Sequence, residues 1–276
     1  MAYPVCTVPG NLNNRRRLYL ANPAEAQYIG NAYRFDDLST QDYRGLKVSV
    51  QRRAVNGLSL NGNWTWGRCF GLQLGRGGGG GSGSGGGGPY AKLDDLDYDR
   101  GHCDWDRTHL ANLTVGYQSP QFTGAVLRAL ASDWRLAGIV SARSGDWLTV
   151  TTGVTHFTGT ATANRVNQVS DDVYGQKTLL SYLNRAAFAV PAPDGFGNHV
   201  RNSIKGPGVW KADLAVSRLF SLGAARQVEV RVETFNLFNN FNWGNPITAL
   251  NSGNFGRIQS MTGDPRILQF VFKYGF

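Results

Sequence analysis

Apolar and polar residues alternate with period 2 along most of this chain, most clearly at its end. In Arg266–Phe276, Leu268, Phe270, Phe272, Tyr274 and Phe276 fall on one side of a strand, with Gln269 and Lys273 on the other. The same alternation predicts strands upstream. Tyr43–Arg53 sets Leu46, Val48 and Val50 against Lys47, Ser49 and Gln51, and Leu58–Arg68 sets Leu58, Leu60, Trp64 and Trp66 against Ser59, Asn61, Asn63 and Thr65. His109–Tyr117 and Ser132–Arg143 continue the series, then Val209–Phe220, where Trp210, Ala212, Leu214 and Val216 oppose Lys211, Asp213 and Ser217. Arg226–Phe238 opposes Val228, Val230 and Val232 to Gln227, Glu229, Arg231 and Glu233. A weaker pattern over Gln27–Phe35 completes a set of about eight strands. Their length, about 9–13 residues, is that of tilted membrane strands (about 9–11) rather than ordinary soluble ones (about 5–6).

The connections alternate in length. They run about four residues (Ala54–Gly57), forty (69–108), fourteen (118–131), sixty-five (144–208), five (221–225) and twenty-seven (239–265). Outer-membrane barrels join their strands in this way, with short periplasmic turns and long outer loops. All ten prolines fall outside these strands, as closed ladders require. An aromatic-rich final strand fits the same picture, because its aromatic side chains can sit in an interfacial girdle.

Composition is permissive. Glycine is roughly 13% of residues, about twice ordinary usage, and only 17% are charged. A mean hydropathy of −0.30 does not exclude the membrane, because alternating strands dilute their own hydropathy. No run approaches the ~18 apolar residues of a transmembrane helix. The N-terminus lacks the basic region and apolar core of an export signal. The expectation is that the signal was removed or that the chain is the later part of a longer one. The net charge of +9 would favour anionic partners. Yet the only tight basic cluster is Arg15-Arg16-Arg17, and there is no nucleic-acid motif. Nucleic acid is therefore not an expected partner.

Candidate chemistry is sparse. Cys69 and Cys103 flank the forty-residue loop and would both face the oxidising exterior, so they are expected to form a disulfide, the rival being two free thiols. Cys6 is left over. Asp95, Asp97 and Asp99 alternate as in an oxygen-rich calcium loop, but Arg100 stands where an EF-hand needs glycine, and Glu is missing at the twelfth position. A solvated acidic loop is the plainer reading, and no metal or cofactor is expected. His102, His109, His156 and His199 show no ligand spacing, and hydrolase or zinc-protease motifs are absent. Glu229 and Glu233 read as a lumen charge ladder with Arg231 rather than as an acid–base pair. No catalytic residue is assigned, and the chain is not expected to be an enzyme. The glycine tract 77–88 lacks the Lys-Ser/Thr ending of a phosphate loop and reads as a loop or inserted linker.

Several motifs in order carry a family resemblance. They are Asn14-Arg-Arg-Arg-Leu-Tyr-Leu-Ala-Asn22, Tyr43-Arg-Gly-Leu-Lys-Val48, Cys103-Asp-Trp-Asp-Arg-Thr-His109, Trp134-Arg-Leu-Ala-Gly-Ile139, Gly206-Pro-Gly-Val-Trp-Lys-Ala-Asp-Leu214, Glu233-Thr-Phe-Asn-Leu-Phe-Asn239, Asn254-Phe-Gly-Arg-Ile258 and Asp264-Pro-Arg-Ile-Leu-Gln-Phe270. From about residue 13 onward the chain resembles the C-terminal barrel region of Oar-like TonB-dependent outer-membrane transporters. The resemblance implies a wider barrel filled by a plug, powered through a TonB box, with its last strand read by the barrel-assembly machinery. This chain carries neither plug nor TonB box, so contact with the TonB complex would need the missing N-terminal part.

The expected fold is thus all-β, an antiparallel transmembrane β-barrel segment belonging to a larger barrel in the outer membrane. Residues 1–26 would be an irregular N-terminal segment and 27–276 the barrel segment. Gln227, Glu229, Arg231 and Glu233 would face the lumen, and Leu268, Phe270, Phe272, Tyr274 and Phe276 would form the assembly strand against outer-membrane lipid. The expected work is uptake of a solute. The alternatives are a self-contained small barrel (adhesin, anchor or narrow pore) and a soluble β-sandwich or calyx that binds ligands.

Overall fold

A computed structural model describes residues 16–29, 38, 40–72, 91–92, 95–154, 164–192, 195–223 and 226–276. Seven long strands form one antiparallel meander: β1 (Thr40–Val55), β2 (Leu58–Leu72), β3 (His109–Gln118), β4 (Trp134–Arg143), β5 (Val209–Ser221), β6 (Gln227–Phe235) and β7 (Ile267–Gly275). Each pairs with its neighbour in sequence, and the short strand Gly101–His102 adds to the end of β2. The sheet is open among the described residues, with β1 and β7 as its edges.

The turn between β1 and β2 shows how local sequence sets register. Asn56 and Gly57 both take positive φ, 52° and 81°. That is the two-residue type I′ geometry whose twist matches a hairpin, and Asn-Gly is its preferred pair. A side chain at position 57 would also collide with the Gln118 carbonyl, 2.0 Å from where its Cβ would lie.

The register separates two faces across the whole sheet. One row runs Ser49–Asn63–Asn112–Ser141–Lys211, and another runs Gln118–Arg135–Ser217–Arg231. The alternate rows are apolar: Val50–Gly62–Leu113–Val140–Ala212, and Leu58–Tyr117–Leu136–Val216–Val232–Phe270. Aromatic residues band this apolar face at both ends. Trp64, Trp66 and Trp210 lie toward the long loops, while Tyr117, Trp134, Phe220, Phe272 and Tyr274 lie toward the short turns. The row through Trp64 and the row through Tyr117 are six residues apart along β3, about 20 Å of strand. An apolar band of that height between aromatic girdles has the dimensions of the outer face of a membrane barrel.

The packed core lies elsewhere. Val150, Val166, Tyr182, Leu183, Ala187, Phe188, Ile204, Leu250, Phe255 and Ile258 are buried together, and all belong to the long connections 144–208 and 236–266. Leu46, Val50, Val140, Phe270 and Phe272 on the sheet remain exposed. A β-sandwich would cover that face with a second layer. Among the described residues no second sheet packs on it.

Several predicted boundaries change. Seven of the about eight predicted long strands are found among the described residues; of the weaker candidate Gln27–Phe35, Gln27 and Tyr28 form a turn, and 30–35 lie outside the described residues. The segment 1–26 is not wholly irregular. Helices α1 (Arg17–Ala21) and α2 (Pro23–Ala26) follow each other, with Pro23 at the first helical position of α2 and the Asn22 side chain accepting from the Glu25 amide. β2 extends through Cys69 to Leu72, into the predicted loop 69–108, because Gly101–His102 pairs with it. β6 stops at Phe235 rather than Phe238 because Asn236 turns to a positive φ of 51°. A third helix, α3 (Ala125–Ala131), occupies the connection between β3 and β4. The glycine tract 77–88, Cys6 and His156 lie outside the described residues.

Candidate solute-facing site

At the loop end of the polar face a cleft of about 540 Å³ opens between the sheet and the segment Thr262–Pro265. Leu110, Val209, Phe235 and Ile267 supply its apolar wall, and Asn112, Ser141, Arg143, Lys211, Asp213 and Asp264 its polar groups. An apolar wall with a few convergent polar groups is the usual composition of a small-molecule site. Lys211 and Asp213 pair at 3.1 Å, two residues apart on one face of β5.

The roof is fixed by the chain that leaves β6. The Asn236 amide donates to Asp213 Oδ1 at 2.9 Å, and its side-chain amide donates to the carbonyls of Asn240 and Asp264. Asn239, also at positive φ, accepts the Arg266 amide at 3.1 Å. Asparagine tolerates the left-handed region better than other side-chain-bearing residues and bonds nearby backbone from it. The run Asn236-Leu-Phe-Asn239 therefore turns the chain over the rim and holds both ends of the connection 236–266 above the cleft. Phe238 packs against Trp210, ring centroids 5.9 Å apart.

Beside the cleft, Asp146 gathers the loops at the rim. Arg107 meets it at 2.6 Å, Arg143 at 3.2 Å and the Asn245 side chain at 2.9 Å. Gly145 and Gly206 touch backbone to backbone: a Cβ on Gly145 would lie 1.9 Å from the Gly206 carbonyl oxygen. The two ends of connection 144–208 are thereby clasped together.

The cap above is joined by polar contacts between distant segments. The Asn202 side-chain amide donates to the His102 carbonyl and to Asp104 Oδ1, both at 2.7 Å, and Arg201 pairs with Asp104 at 2.8 Å. His102 bonds Asp106 at 2.7 Å and stacks on Trp147. His199 is almost fully buried, with one ring nitrogen against Gln168 Oε1 and Phe188 at its edge. Burial drives its pKa down to about 4, and the Arg165 charge acts in the same direction. Burial likewise raises the Tyr182 phenol to about 12; its hydroxyl donates to the Lys205 carbonyl at 3.3 Å.

Of the residues singled out in the sequence, Gln227, Glu229, Arg231 and Glu233 share the polar face of β6. Arg231 lies between Glu229 at 2.8 Å and Glu233 at 3.2 Å, so one guanidinium occupies both carboxylates. Cys69 and Cys103 are joined by a disulfide, Cα atoms 5.4 Å apart. The acidic run does not form a shared oxygen cage. Asp95 pairs with Lys92, Asp97 with Arg100 and the buried Asp99 with Arg165, and no group of three potential ligands occurs among the described residues. Leu268, Phe270, Phe272 and Tyr274 stand on the apolar face of β7, and Phe276 stacks on Tyr274 just past its end.

The sequence pattern gave no sign of the rim and cap residues Asp146, Arg165, Asn202 and Asn236. Their partners lie up to a hundred residues away, and no periodicity marks them. The Asn236–Asn239 spacing was the one available signal.

A family model described as an outer membrane beta barrel domain matches residues 3–269. No curated protein and no solved structure matches the chain significantly. The family match covers nearly the whole sequence and agrees with the banded apolar face and the opposing polar rows: the chain belongs to the outer membrane β-barrel domain family.

Proposed function

We propose that this chain is the C-terminal barrel portion of an Oar-like, TonB-dependent transporter of the outer membrane, and that its polar face lines the route of an imported solute. The observation that carries the reading is the register. Seven long strands hold a mainly polar face, with the rows through Asn112 and Arg135, opposite a girdled apolar band, and among the described residues both edges are open. The seven long strands among the described residues are fewer than the about 16 that surround an aqueous channel, whereas a wider barrel supplies partners for β1 and β7. The cleft beneath Thr262–Pro265 then sits at the outer mouth, where incoming solute first meets the polar face.

In this reading outer-membrane lipid contacts the apolar face, and the barrel-assembly machinery recognises β7. The TonB complex acts through a plug domain preceding the barrel. No catalysis and no nucleic-acid binding are assigned. The motif order from Asn14 to Phe270 supports the family, and the alternation of connections supports the orientation.

Two measurements test the proposal. Coding DNA upstream of Met1 should contain, in frame, a plug and a TonB box. In addition, the chain alone should fail to give the compact, heat-modifiable band of a closed barrel on gel electrophoresis. A heat-modifiable monomer that conducts ions in planar bilayers would replace this reading with a self-contained small barrel.

A further inference from the structure

The connection between β3 and β4 is on the short-turn end, yet it carries a helix where its neighbours have tight turns. In α3, Val126, Leu127 and Leu130 form one stripe, at the i, i+1 and i+4 spacing of a single helix face. They are 71%, 56% and 68% exposed, and no residue of α3 is buried. A two-turn helix this bare has no stability of its own in water.

Its fixing points show where it lies. The Leu130 carbonyl accepts from Trp134 Nε1 at 2.8 Å, and the Ala129 carbonyl accepts from the Arg218 guanidinium. Trp134 and Arg218 are cross-strand partners on the apolar face, in the row that continues to Val230 and Phe272. Arg218 also lies over the rings of Trp134 and Phe220, at 5.3 and 4.9 Å. The helix is thus tethered on the apolar side of the sheet, at the level of the turn-end aromatic girdle. The segment 119–132 contains no acidic residue, and its one charge is Arg128. Arg128 braces the loop by donating to the carbonyls of Phe122 and Thr123.

We infer that α3 is an interfacial membrane helix: Val126, Leu127 and Leu130 insert into the phospholipid leaflet on the turn side of the barrel. Three observations select lipid as the occupant. The stripe is continuous with the apolar band. Trp134 and Arg218, residue types suited to the headgroup level, hold its C-terminal end. The helix itself carries no acidic residue, and the one acidic residue of the connection, Asp133, accepts a hydrogen bond from the Gln121 side chain. An apolar stripe lying in the plane of the interface is how such helices attach. The inference rests on the reading that the banded face meets lipid.

The test is spin labelling of the full chain reconstituted into vesicles of phosphatidylethanolamine and phosphatidylglycerol. A Cys6→Ser background keeps the native disulfide. Val126→Cys, Leu127→Cys and Leu130→Cys are compared with Val140→Cys in the middle of the apolar face and with Val169→Cys in the cap. Oxygen-to-nickel accessibility should be several-fold higher at the three helix positions than at 169, and of the same order as at 140. If the helix positions match 169 while 140 reports lipid, α3 does not insert and the inference fails. If 140 is aqueous as well, the underlying assignment of the lipid face fails with it.

Discussion

The guanidinium carbon of Arg165 lies 3.4 Å from the centroid of the Tyr98 ring, joining segments 67 residues apart in the chain. The same guanidinium reaches the Tyr98 carbonyl at 2.5 Å and Asp99 Oδ1 at 3.3 Å. Asp99 also accepts the Ala91 amide at 2.6 Å. Both charges are buried, so each depends on the other for solvation.

Arg165→Met should therefore destabilise the cap by about 3–5 kcal/mol, because it leaves the Asp99 carboxylate uncompensated. Adding Asp99→Asn should recover part of that loss. Urea unfolding of the two single variants and the double variant, read as a thermodynamic cycle, measures the coupling. Additive single effects would show that the Arg165–Asp99 ion pair contributes nothing of its own.

This clamp marks where the sequence stops being readable. The strands were legible because each separates an apolar face from a polar one, and that separation writes period 2 into β3, β5 and β7 without reference to any distant residue. The short connection Ala54–Gly57 was legible for the same local reason, because the alternation breaks there. The cap obeys no such rule. Its core joins Val150 and Val166 to Leu250 and Phe255 through irregular backbone, and its polar ties link Asn202 to His102 and Arg165 to Asp99 across long separations. Local alternation also misled at Phe238: the pattern runs on past Phe235, but Asn236 has already left the ladder. The cleft was legible in its floor, since Lys211 and Asp213 alternate along β5, and not in its roof, which depends on where the connection 236–266 folds back.

His199 gives the cap a pH dependence of definite sign. Its pKa falls from the ordinary value near 6.5 to about 4 on folding, so below pH 6.5 the unfolded cap binds a proton that the folded cap refuses. Stability should be constant with respect to this group above about pH 7 and fall as pH drops from 6.5 through 4. The total loss should be on the order of 3 kcal/mol. Protease protection of connection 144–208 between pH 8 and 4 follows it, and His199→Gln should flatten that part of the profile. An unchanged slope in the variant would assign the effect to other groups.

The disulfide acts on the same cap from the strand side. Cys69 sits on β2, and Cys103 lies just past the short strand that pairs with it, 34 residues on. Closing a loop of that length contributes about 3–4 kcal/mol on the chain-entropy estimate. Reduction should open the pairing of Phe70 with His102 first, and with it the stacking of His102 on Trp147. Trp147 fluorescence and cleavage between 91 and 108 should both change with reductant, while the β5–β7 ladder stays protected from hydrogen exchange. A simultaneous loss of β5–β7 protection would mean that cap and sheet unfold as one unit.

Arginine placed at different depths of the apolar face provides the sharpest check on the membrane assignment. Val230 lies opposite Arg218 and Phe272, in the row that holds Trp134. On the membrane assignment this row lies at the turn-end aromatic girdle, so Val230→Arg should cost only about 0–1 kcal/mol, as near-interface positions do. Val140 lies in the row of Leu113 and Val50, between the two aromatic bands, two residues from the Trp64 row and four from the Tyr117 row. Val140→Arg should cost more, toward the about 2–4 kcal/mol of positions within the apolar band, because its guanidinium starts between the aromatic rows rather than in one of them. In plain buffer both side chains would face solvent and the two substitutions would be equivalent. Denaturant titrations of folding in liposomes should therefore separate them, with Val140→Arg the weaker protein. Equal midpoints would mean that hydrocarbon does not cover this face.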